Sequence, residues 1–322
     1  MRSSSAPDSR VITTVTLNPA IDEAVSIDVF NLGDRNRCEL ANLDPGGKGI
    51  NASRVIQRLG RSTIALGFIG GVTGQLLRTR LDEEHVMHAF DHVADATRIN
   101  VMIYESSNKR RTRLYLQGPH VDATRLASLR TRLRQVPAGG LVVFGGSLPP
   151  GIPDEIYHDL VVELRARGVR SIIDTSGSPL EKALSARPLL IKPNVEETEE
   201  ILGRKLRNDA DVFSAAVELR ARGAENVVIS QGADGAIGLG VGGAWKAIAP
   251  SVTARSTVGA GDSMVAGLAI AFNEGSGLRE GLRLGSAAGA ATAMVAGTQL
   301  CEAAEVSALM ERVRIESAPI AA

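Results

Sequence analysis

The sequence is poor in the residues that mark several classes of protein. Its 322 residues include only 2 cysteines, Cys38 and Cys301, which are too few and too far apart for a disulfide framework or a zinc site. Aromatic residues make up 3%, so aliphatic side chains must fill the core that a hydrophobic content of 44% provides. Neither sign of charge is in excess, because 36 Lys and Arg balance 36 Asp and Glu, and this argues against a nucleic-acid partner.

Long hydrophobic runs are also missing. No stretch of about 18 residues is free of charged and polar breaks, so we expect no membrane-spanning helix and no membrane partner. Residues 1–9 are polar and rich in serine, and they lack the apolar segment of a secretory signal peptide. We therefore expect a disordered tail at residues 1–9, one domain over residues 10–322, and a cytoplasmic protein.

What the chain does contain is a regular alternation of short β-branched runs and helix-length segments. The expected strands are residues 11–17, 63–69, 141–144, 171–174, 189–191 and 226–230, and the expected helices include residues 50–59, 153–167, 209–222 and 260–272. Nearly continuous apolar strands between helices indicate a sheet buried on both faces. The expected fold class is α/β, with a doubly wound, mostly parallel sheet flanked by helices and ligands bound at the carboxyl ends of its strands.

Two insertions, at about residues 22–43 and 97–118, interrupt this alternation with strand-like runs of period two. Residues 106–109, Ser-Ser-Asn-Lys, favour a hairpin turn within the second insertion. We expect the insertions to form a small antiparallel sheet outside the main one. A sheet standing over the strand ends is suited to act as a lid.

The strongest local motif is STVGAGDS at residues 256–263, just before an apolar helix. Gly259 and Gly261 allow backbone N–H groups to approach a ligand, and a helix N-terminus attracts anions. Asp262 would repel a phosphate, so it makes chemical sense as a base that takes a proton from an attacking hydroxyl. The alternative is an acidic residue that only stabilises the start of the helix.

A second glycine-rich loop, DPGGKGIN at residues 44–51, also leads into a helix. It lacks the spacing of a Walker P-loop, and Ile50 stands where that motif needs a hydroxyl. Backbone amides and Asn51 suit a polyol or a sugar, although a tight turn with a helix cap is the alternative. Asp22, which follows the first strand, could accept bonds from sugar hydroxyls, but from its own stretch a solvated loop acid is favoured.

Three further loops follow expected strands. In KPNVEE at residues 192–197, Asn194 and Glu197 have the spacing of a capping box, and the functional alternative is that they hold Mg²⁺ through water with Lys192 near a phosphate. The loops around Ser147 and at Ser230-Gln231-Gly232 contain glycines that allow a ligand to come close, or that simply form turns.

These motifs, in this order, resemble the PfkB family of carbohydrate kinases, which has the ribokinase-like fold. The resemblance runs from Val11 to about Met310. TLNPAID, TRINV, GGSLPPG, IIDTSG and KPNVEE are similar to the phosphofructokinase and tagatose-6-phosphate kinase branch. IIDTSG and GTQLC favour the minor type of 6-phosphofructokinase within it, whereas TLNPA, GGKGIN and TRINV fit 1-phosphofructokinases equally well.

The resemblance implies a role for each matching residue. Asp262 matches the catalytic base, and its anion hole is implied for Gly259, Ala260 and Gly261. Sugar contacts are implied for Asp22, Gly46, Gly47 and Asn51, and binding of the phosphate already on the sugar is implied for Arg98 and Ser147. Arg35 matches a cation beside the transferring phosphates. The nucleotide and Mg²⁺ region is matched by Lys192, Asn194, Glu197, Ser230, Gly232 and Thr257. A possible monovalent-cation site, K⁺ in this branch, is matched by Ser256, Val258, Thr292, Val295, Gly297 and Gln299.

The function that the resemblance implies is ATP- and Mg²⁺-dependent phosphorylation of a phosphorylated ketohexose, with fructose 6-phosphate as the favoured substrate. The alternatives within the branch are fructose 1-phosphate and tagatose 6-phosphate, and a kinase for an unphosphorylated sugar is a further one. A sugar-phosphate sensor without turnover is the contrasting class. The resemblance also implies a homodimer formed through the lid.

Overall fold

A ten-stranded sheet runs through the centre of the molecule, and a separate four-stranded sheet stands beside it. The computed structural model describes residues 9–317. Residues 1–8 of the expected tail, and residues 318–322 at the end of the expected domain, lie outside this range. The strands are β1 (Ile12–Thr16), β2 (Ala20–Ile27), β3 (Glu39–Gly46), β4 (Thr63–Ile69), β5 (Met87–His92), β6 (Arg98–Glu105), β7 (Arg110–Tyr115), β8 (Leu141–Gly145), β9 (Arg170–Asp174), β10 (Leu190–Ile191), β11 (Asn226–Ser230), β12 (Ala236–Gly240), β13 (Gly243–Ile248) and β14 (Arg314–Ser317).

Helices fill most of the connections between these strands. They are α1 (Lys48–Arg58), α2 (Gly71–Glu83), α3 (Ala123–Leu133), α4 (Ile156–Arg165), α5 (Gly177–Leu184), α6 (Val195–Leu202), α7 (Asp209–Ala221), α8 (Ala260–Asn273), α9 (Gly277–Met294) and α10 (Ala303–Met310). All the strands and helices expected for the main body are present, with end points shifted by a few residues. Within residues 9–317, no helix combines the length and the apolar character needed to cross a bilayer.

The order of the main sheet is β14-β13-β12-β11-β10-β9-β8-β1-β4-β5. The pairings from β5 to β11 are parallel, and those from β11 to β14 are antiparallel. The mostly parallel α/β sheet is therefore confirmed. The chain moves outward from β1 to β4 and β5, then returns to add β8 on the other side of β1, so the strand order reverses between β1 and β8. Such a reversal opens a crevice at the carboxyl ends of the strands.

Both faces of the sheet are buried, as the short apolar strands predict. Along β8, Val142 and Phe144 belong to one hydrophobic cluster, whereas Leu141 and Val143 belong to another. Because side chains alternate between the faces of a strand, the two clusters lie on opposite sides of the sheet. The second cluster contains the apolar residues of α8, which the sequence predicts to be a buried helix.

Helices α8 and α9 pack very closely. A Cβ on Gly267 would lie 2.5 Å from the backbone nitrogen of Gly285, and a Cβ on Gly285 would lie 2.8 Å from the carbonyl oxygen of Met264. Only glycine permits this approach of two backbones. The contact keeps the N-terminus of α8 in a fixed place at the strand ends.

The smaller sheet, here called the lid, has the order β3-β2-β6-β7. β2 pairs with β3, and β6 with β7, in the antiparallel manner expected, and residues 106–109 form the expected hairpin turn. The central pair, β2 with β6, is parallel, which the sequence did not predict. The reason is topological: β2 follows β1 and β6 follows β5, so both leave the same edge of the main sheet in the same direction.

Candidate active site

The carboxyl ends of three neighbouring strands supply polar side chains to one edge of the main sheet. β9 ends at Asp174, Lys192 follows β10 directly, and β11 ends at Ser230. β9, β10 and β11 are adjacent and parallel, so their last residues come together. The N-termini of α1 and α8 complete this edge.

Asp174 lies at the centre of a buried ionic cluster. Its side chain is 2% exposed, and its Oδ1 atom lies 3.2 Å from Nζ of Lys48 and 3.3 Å from Nζ of Lys192. Burial alone would raise the pKa of Asp174, but the two ammonium groups lower that pKa below its ordinary value. Asp174 is therefore a carboxylate, and it holds two cations side by side.

Lys48 also contacts Glu197, whose Oε1 atom lies 3.4 Å from Nζ. Burial alone would lower the pKa of Lys48, but the charges of Asp174, Glu197 and Asp262 raise that pKa above its ordinary value. The side chain of Lys192 is 4% exposed. Two charged ammonium groups held at a strand edge, next to a helix N-terminus, form a site that attracts phosphate oxygens.

Asp262 lies in the first turn of α8, as expected, and faces the same cluster. Nδ2 of Asn51 donates a hydrogen bond to Oδ2 of Asp262 over 2.8 Å. Burial and the charge of Asp174 raise the pKa of Asp262 from 3.8 to about 6, against the opposing effects of Lys48, Asn51 and Lys192. A carboxyl group whose pKa lies this close to neutrality is suited to take up and release a proton at physiological pH.

The backbone around Gly259, Ala260 and Gly261 forms the N-terminus of α8. Gly259 is the N-cap and has a left-handed conformation with φ of 76°. The N–H of Ala260 donates a 3.4 Å hydrogen bond to the carbonyl oxygen of Thr257, whereas the other N–H groups of a helix's first turn have no partner within the helix and are available to an anion. A Cβ on Gly261 would lie 3.6 Å from Nζ of Lys192, so this lysine lies directly beside the helix end. Thr257 is exposed just before it.

Asp22 is not a solvated loop acid, which was the interpretation that its own stretch favoured. It lies in β2, is 8% exposed, and accepts a hydrogen bond of 2.8 Å from Nδ2 of Asn100. Burial raises its pKa above the ordinary value. A Cβ on Gly46 would overlap the Asp22 carboxyl group, so the glycine-rich loop passes directly over it. The pairing of β2 with both β3 and β6 places Asp22 in this buried position.

The start of α1 places Asn51. Gly47 is the N-cap of α1, and the N–H of Ile50 donates a 2.9 Å hydrogen bond to Oγ1 of Thr16, the last residue of β1. Asn51 is buried in the first turn and reaches Asp262 from there. The loop containing Gly46 and Gly47 caps α1, and it also connects Asp22 to Asn51, which contacts the candidate base.

Asn18 links Arg98 to Ser147. Its backbone oxygen accepts a hydrogen bond of 3.0 Å from Nη2 of Arg98, and its Nδ2 donates one of 3.2 Å to Oγ of Ser147. Nη1 of Arg98 also donates to the carbonyl oxygen of Leu116 over 3.1 Å. Among residues 9–317, Nε of Arg98 and the Oδ1 atoms of Asn18 and Asn100 have no hydrogen-bond partner although they are buried. Buried polar atoms in this state are able to bind a polar ligand.

The capping box at Asn194 is present. Oδ1 of Asn194 accepts from the N–H of Glu197, and Oε2 of Glu197 accepts from the N–H of Asn194, each over 2.8 Å. Asn194 also forms a parallel bridge with Ser230, and Gly232 begins a short 3₁₀ turn after it. The helix cap and any role in binding a nucleotide therefore involve the same side chains.

Arg35 lies away from this cluster. It is exposed in the connection between β2 and β3, where its N–H donates a 2.6 Å hydrogen bond to Oδ1 of Asp34.

The residues matched to a monovalent-cation site lie in two segments that meet beside α8. Oγ of Ser256 donates to the carbonyl oxygen of Gly297 over 2.7 Å and accepts from the N–H of Val258 over 3.3 Å. Thr292 accepts a backbone hydrogen bond from Val295 over 3.2 Å. The other residue of the set is Gln299, in the same loop as Gly297.

This combination of a half-buried base, a helix N-terminus and two lysines at a strand edge agrees with a comparison against known families. The family described as pfkB family carbohydrate kinase matches residues 15–305. The chain belongs to this family. It is therefore a carbohydrate kinase that uses ATP.

Curated relatives and solved structures agree with this membership. The chain is 35% identical over 307 residues to a 1-phosphofructokinase of Borreliella burgdorferi, covering 95% of this chain and 98% of that one. It is 35% identical over 292 residues to the ATP-dependent 6-phosphofructokinase isozyme 2 of Escherichia coli, covering 90% and 94%. The structure of Escherichia coli phosphofructokinase-2 in complex with potassium has a TM-score of 0.89 at 34% identity, covering 94% and 98%. The fold likeness extends to Arabidopsis thaliana ribokinase, with a TM-score of 0.79 at 21% identity over 95% and 99%, so the fold is ribokinase-like.

Four residues at the site of this pfkB kinase were missed by the sequence interpretation, although they lie in the motifs that it used. They are Asn18, Lys48, Asn100 and Asp174. Asp174 could have been found, because it ends an apolar strand at the same edge as Lys192. Asn18 contacts Arg98 of the lid and Ser147 after β8, and Asn100 contacts Asp22 within the lid, so no local pattern indicates these contacts.

Proposed function

We propose that this kinase transfers the γ-phosphoryl group of ATP to a primary hydroxyl of a ketohexose phosphate, with fructose 6-phosphate as its preferred substrate. The observation that carries the proposal is the position of Asp262. It lies in the first turn of α8, its pKa is raised to about 6, and it faces the buried Lys192 and the half-buried Lys48, whose ammonium groups can hold phosphate oxygens. A base beside an anion site is what transfer to an alcohol requires.

In the proposed reaction, the Asp262 carboxylate takes the proton of the sugar hydroxyl. The hydroxyl oxygen then forms a bond to the γ-phosphorus, the bond from that phosphorus to the bridging oxygen of ADP breaks, and ADP leaves with the electron pair. The proton on Asp262 passes to solvent afterwards. Lys48, Lys192 and the N–H groups of residues 259–261 stabilise the charge on the transferring oxygens.

Mg²⁺ fits this site through water. Both oxygens of Glu197 already have a partner, Oε2 the N–H of Asn194 and Oε1 the Nζ atom of Lys48, so direct ligation would compete with the cap of α6 or with the Lys48 contact. Mg²⁺ commonly keeps several waters and takes few protein ligands. Asn194 and Glu197 would hold the hydrated ion, which supplies neutralising charge to the phosphates of ATP. Ser230, Gly232 and Thr257 would line the nucleotide side.

At the other end of the cleft, Arg98 and Ser147 would bind the phosphate already present on the sugar. Nε of Arg98 is buried without a partner among the described residues, and a phosphate oxygen would satisfy it. Asp22 and the amides of Gly46 and Gly47 would bond the sugar hydroxyls. An arginine at this position favours a phosphorylated sugar over a free one.

Fructose 1-phosphate is the second candidate substrate. The relative from Borreliella burgdorferi is named 1-phosphofructokinase, and its identity to this chain equals that of the 6-phosphofructokinase isozyme from Escherichia coli. The TLNPA and TRINV motifs fit either enzyme. Tagatose 6-phosphate differs from fructose 6-phosphate in one stereocentre and is a third candidate within the same chemistry.

The test is a panel of acceptors with ADP release as the readout. Fructose 6-phosphate, fructose 1-phosphate, tagatose 6-phosphate, fructose and ribose are compared by kcat/KM, with Asp262→Asn as the inactive control. We expect fructose 6-phosphate to give the highest value. Preference for fructose or ribose would contradict the assignment of Arg98, and tight binding of a sugar phosphate without ADP release would indicate a sensor.

A monovalent cation, K⁺ by preference, would bind beside α8. Carbonyl and hydroxyl oxygens of Ser256, Thr292 and Gly297 are the kind of ligand that such a cation takes, and one relative was crystallised with potassium. Its charge would stabilise the anion-binding end of α8. Replacing K⁺ with tetramethylammonium should lower kcat if the site binds K⁺. An unchanged kcat would contradict the proposed cation site.

We also propose that a second copy of the chain covers the lid. Several large apolar side chains of the lid are exposed in the isolated chain: Leu32, Leu40, Leu114, Tyr115 and Leu116. An exposed apolar patch of this kind usually marks a protein contact. Light scattering should give a dimer of twice 33.8 kDa, and Leu114→Ser with Leu116→Ser should weaken it.

A further inference from the structure

Arg54 is an unusual residue of α1, because it is charged and almost completely buried. Its side chain is 1% exposed, and it is the largest of the fully buried side chains. It lies outside the ionic cluster of the active site. A buried guanidinium is tolerated only when it is paired and hydrogen-bonded, so its contacts indicate what it holds in place.

Glu84, just after α2, neutralises Arg54. Nε of Arg54 lies 3.0 and 2.9 Å from the two carboxyl oxygens of Glu84, and Nη2 lies 2.6 Å from Oε1. Burial alone would raise the pKa of Glu84, but Arg54 and Arg58 lower that pKa below its ordinary value. This fork-to-fork contact fixes the orientation of the guanidinium plane.

The remaining nitrogen of Arg54 holds the glycine-rich loop. Nη1 donates a 3.0 Å hydrogen bond to the carbonyl oxygen of Pro45, and Nη2 lies 3.6 Å from Oδ1 of Asp44. Pro45 immediately precedes Gly46, which passes so close to Asp22 that a Cβ would overlap the carboxyl group. Pro45 and Gly46 are also the last residues of β3 and pair with Ile21 and Ala20 of β2, so the Arg54 bond and the strand pairing together set the distance between the Gly46 backbone and Asp22.

The same loop is held from a second direction. Oγ1 of Thr298 donates a hydrogen bond to Oδ2 of Asp44, and Nη1 of Arg58 donates to the carbonyl oxygen of Leu300 over 2.8 Å. Arg58 shares Glu84 with Arg54 but has no hydrogen bond to the loop among the described residues. The two arginines thus differ in one respect: only Arg54 bonds the segment that carries the sugar-facing glycines.

We propose that Arg54 is a positioning residue for the acceptor sugar: by bonding the Pro45 carbonyl it holds Gly46 and Gly47 at a set distance from Asp22. The inference rests on the proposed function, since it takes these residues to contact the sugar. Arg54 touches neither the sugar nor ATP. Its effect should therefore fall on the affinity for the sugar and not on the affinity for the nucleotide.

The test compares Arg54→Lys with Arg58→Lys. A lysine at position 54 can still pair with Glu84, but a single ammonium group cannot also reproduce the planar bond to Pro45. We expect Arg54→Lys to raise KM for the sugar about tenfold or more, with KM for ATP and kcat within about threefold of the wild-type values. Arg58→Lys, which disturbs the same carboxylate, should leave KM for the sugar within about twofold.

A second readout does not depend on turnover. Hydrogen exchange of peptides spanning residues 44–51 should be faster in Arg54→Lys than in the wild type and unchanged in Arg58→Lys. Arg54→Met should lower thermal stability more than Arg54→Lys does, while KM for the sugar rises similarly in both. If Arg54→Met does not fold, the lysine pair still decides the question.

The inference is overturned if Arg54→Lys and Arg58→Lys change KM for the sugar equally, or if Arg54→Lys raises KM for ATP as much as KM for the sugar. Either result would make Arg54 a structural residue only. The sugar used is whichever member of the panel the wild type phosphorylates best. A preference for an unphosphorylated sugar would correct the proposed function and still leave the comparison of the two arginines decisive.

Discussion

The two ends of the cleft are built differently. At the α8 end, the buried charges are paired, since Asp174 contacts Lys48 and Lys192 at once. At the end beneath the lid, Nε of Arg98 and Oδ1 of Asn100 are buried without a partner among the described residues. One end is therefore complete as a network among the described residues, and the other keeps buried polar atoms that are able to bond a polar ligand.

Electrostatics explains this difference. An unpaired buried charge costs far more free energy than an unpaired neutral amide oxygen, so the lysines at the phosphate end need a carboxylate partner even before a ligand binds. The lid end also contains the charged groups Asp22 and Arg98, but its atoms without a partner among the described residues are one nitrogen of a guanidinium that is otherwise hydrogen-bonded and amide oxygens, which cost less to leave unpaired. The α8 end should therefore govern rate and stability, and the lid end should govern affinity for the sugar.

Loss of the base at the α8 end should have the largest effect. Asp262→Asn keeps the shape of the side chain but cannot accept the proton, so kcat should fall by about 10²–10⁴-fold while KM for both substrates changes little. The measurement is ADP release under saturating substrates. A rate near that of the wild type would falsify the assignment of Asp262.

Breaking the ionic cluster should come next. Asp174→Asn leaves the buried Lys192 and the half-buried Lys48 without their shared carboxylate, and this should lower the free energy of unfolding by about 3 kcal/mol. Urea denaturation measures it, with Asp159→Asn as the control, since Asp159 forms exposed ion pairs that contribute little. Equal effects of the two substitutions would show that burial of the cluster does not matter.

Removal of the Arg98 guanidinium at the lid end should lower the affinity for the sugar phosphate. Arg98→Ala should raise KM for the sugar phosphate by about 10–100-fold, because a charge-assisted contact is lost, and should leave KM for ATP nearly unchanged. Arg125→Ala removes the same charge from an exposed position on α3 and serves as the control. A parallel rise in both KM values would erase the contrast between the two ends.

The raised pKa of Asp262 gives a pH dependence. The carboxylate is the active form, so kcat/KM should fall about tenfold per pH unit below about pH 6, a limb that would otherwise begin near pH 4. If kcat/KM does not fall between about pH 6 and pH 4.5, burial does not act on this group as inferred. The profile is to be measured between pH 4.5 and pH 8 at fixed ionic strength (roughly two units around the pKa).

The same shift predicts the smallest effect, a change in stability. A carboxyl group with a raised folded-state pKa stabilises the fold below its unfolded pKa, and this contribution is lost as the pH rises through about 6. Asp262→Asn should therefore raise the melting temperature more at pH 8 than at pH 5. An equal shift at both pH values would mean that the group has no raised pKa in the folded protein.

Much of this architecture is predictable from local patterns. The strand at residues 63–69 and the strand at residues 226–230 have the predicted bounds, because each is an apolar run with clear breaks at both ends. The capping box at Asn194 and the place of Asp262 in a first turn also follow from spacing alone. The parallel pairing of β2 with β6 was not predictable, because it depends on the positions of β1 and β5 in the main sheet, after which β2 and β6 begin.

The sequence by itself determined the order of strands and helices, the two glycine-rich helix starts and the residue able to act as a base, since each depends on neighbours a few positions apart. Only the tertiary structure decided that Asp22 is buried and that Lys48 pairs with Asp174, 126 residues further along the chain. Those contacts form when distant strand ends converge at one edge of the sheet. Burial at that edge then raises the pKa of Asp262, and burial of this kind cannot be predicted from a local pattern of residues.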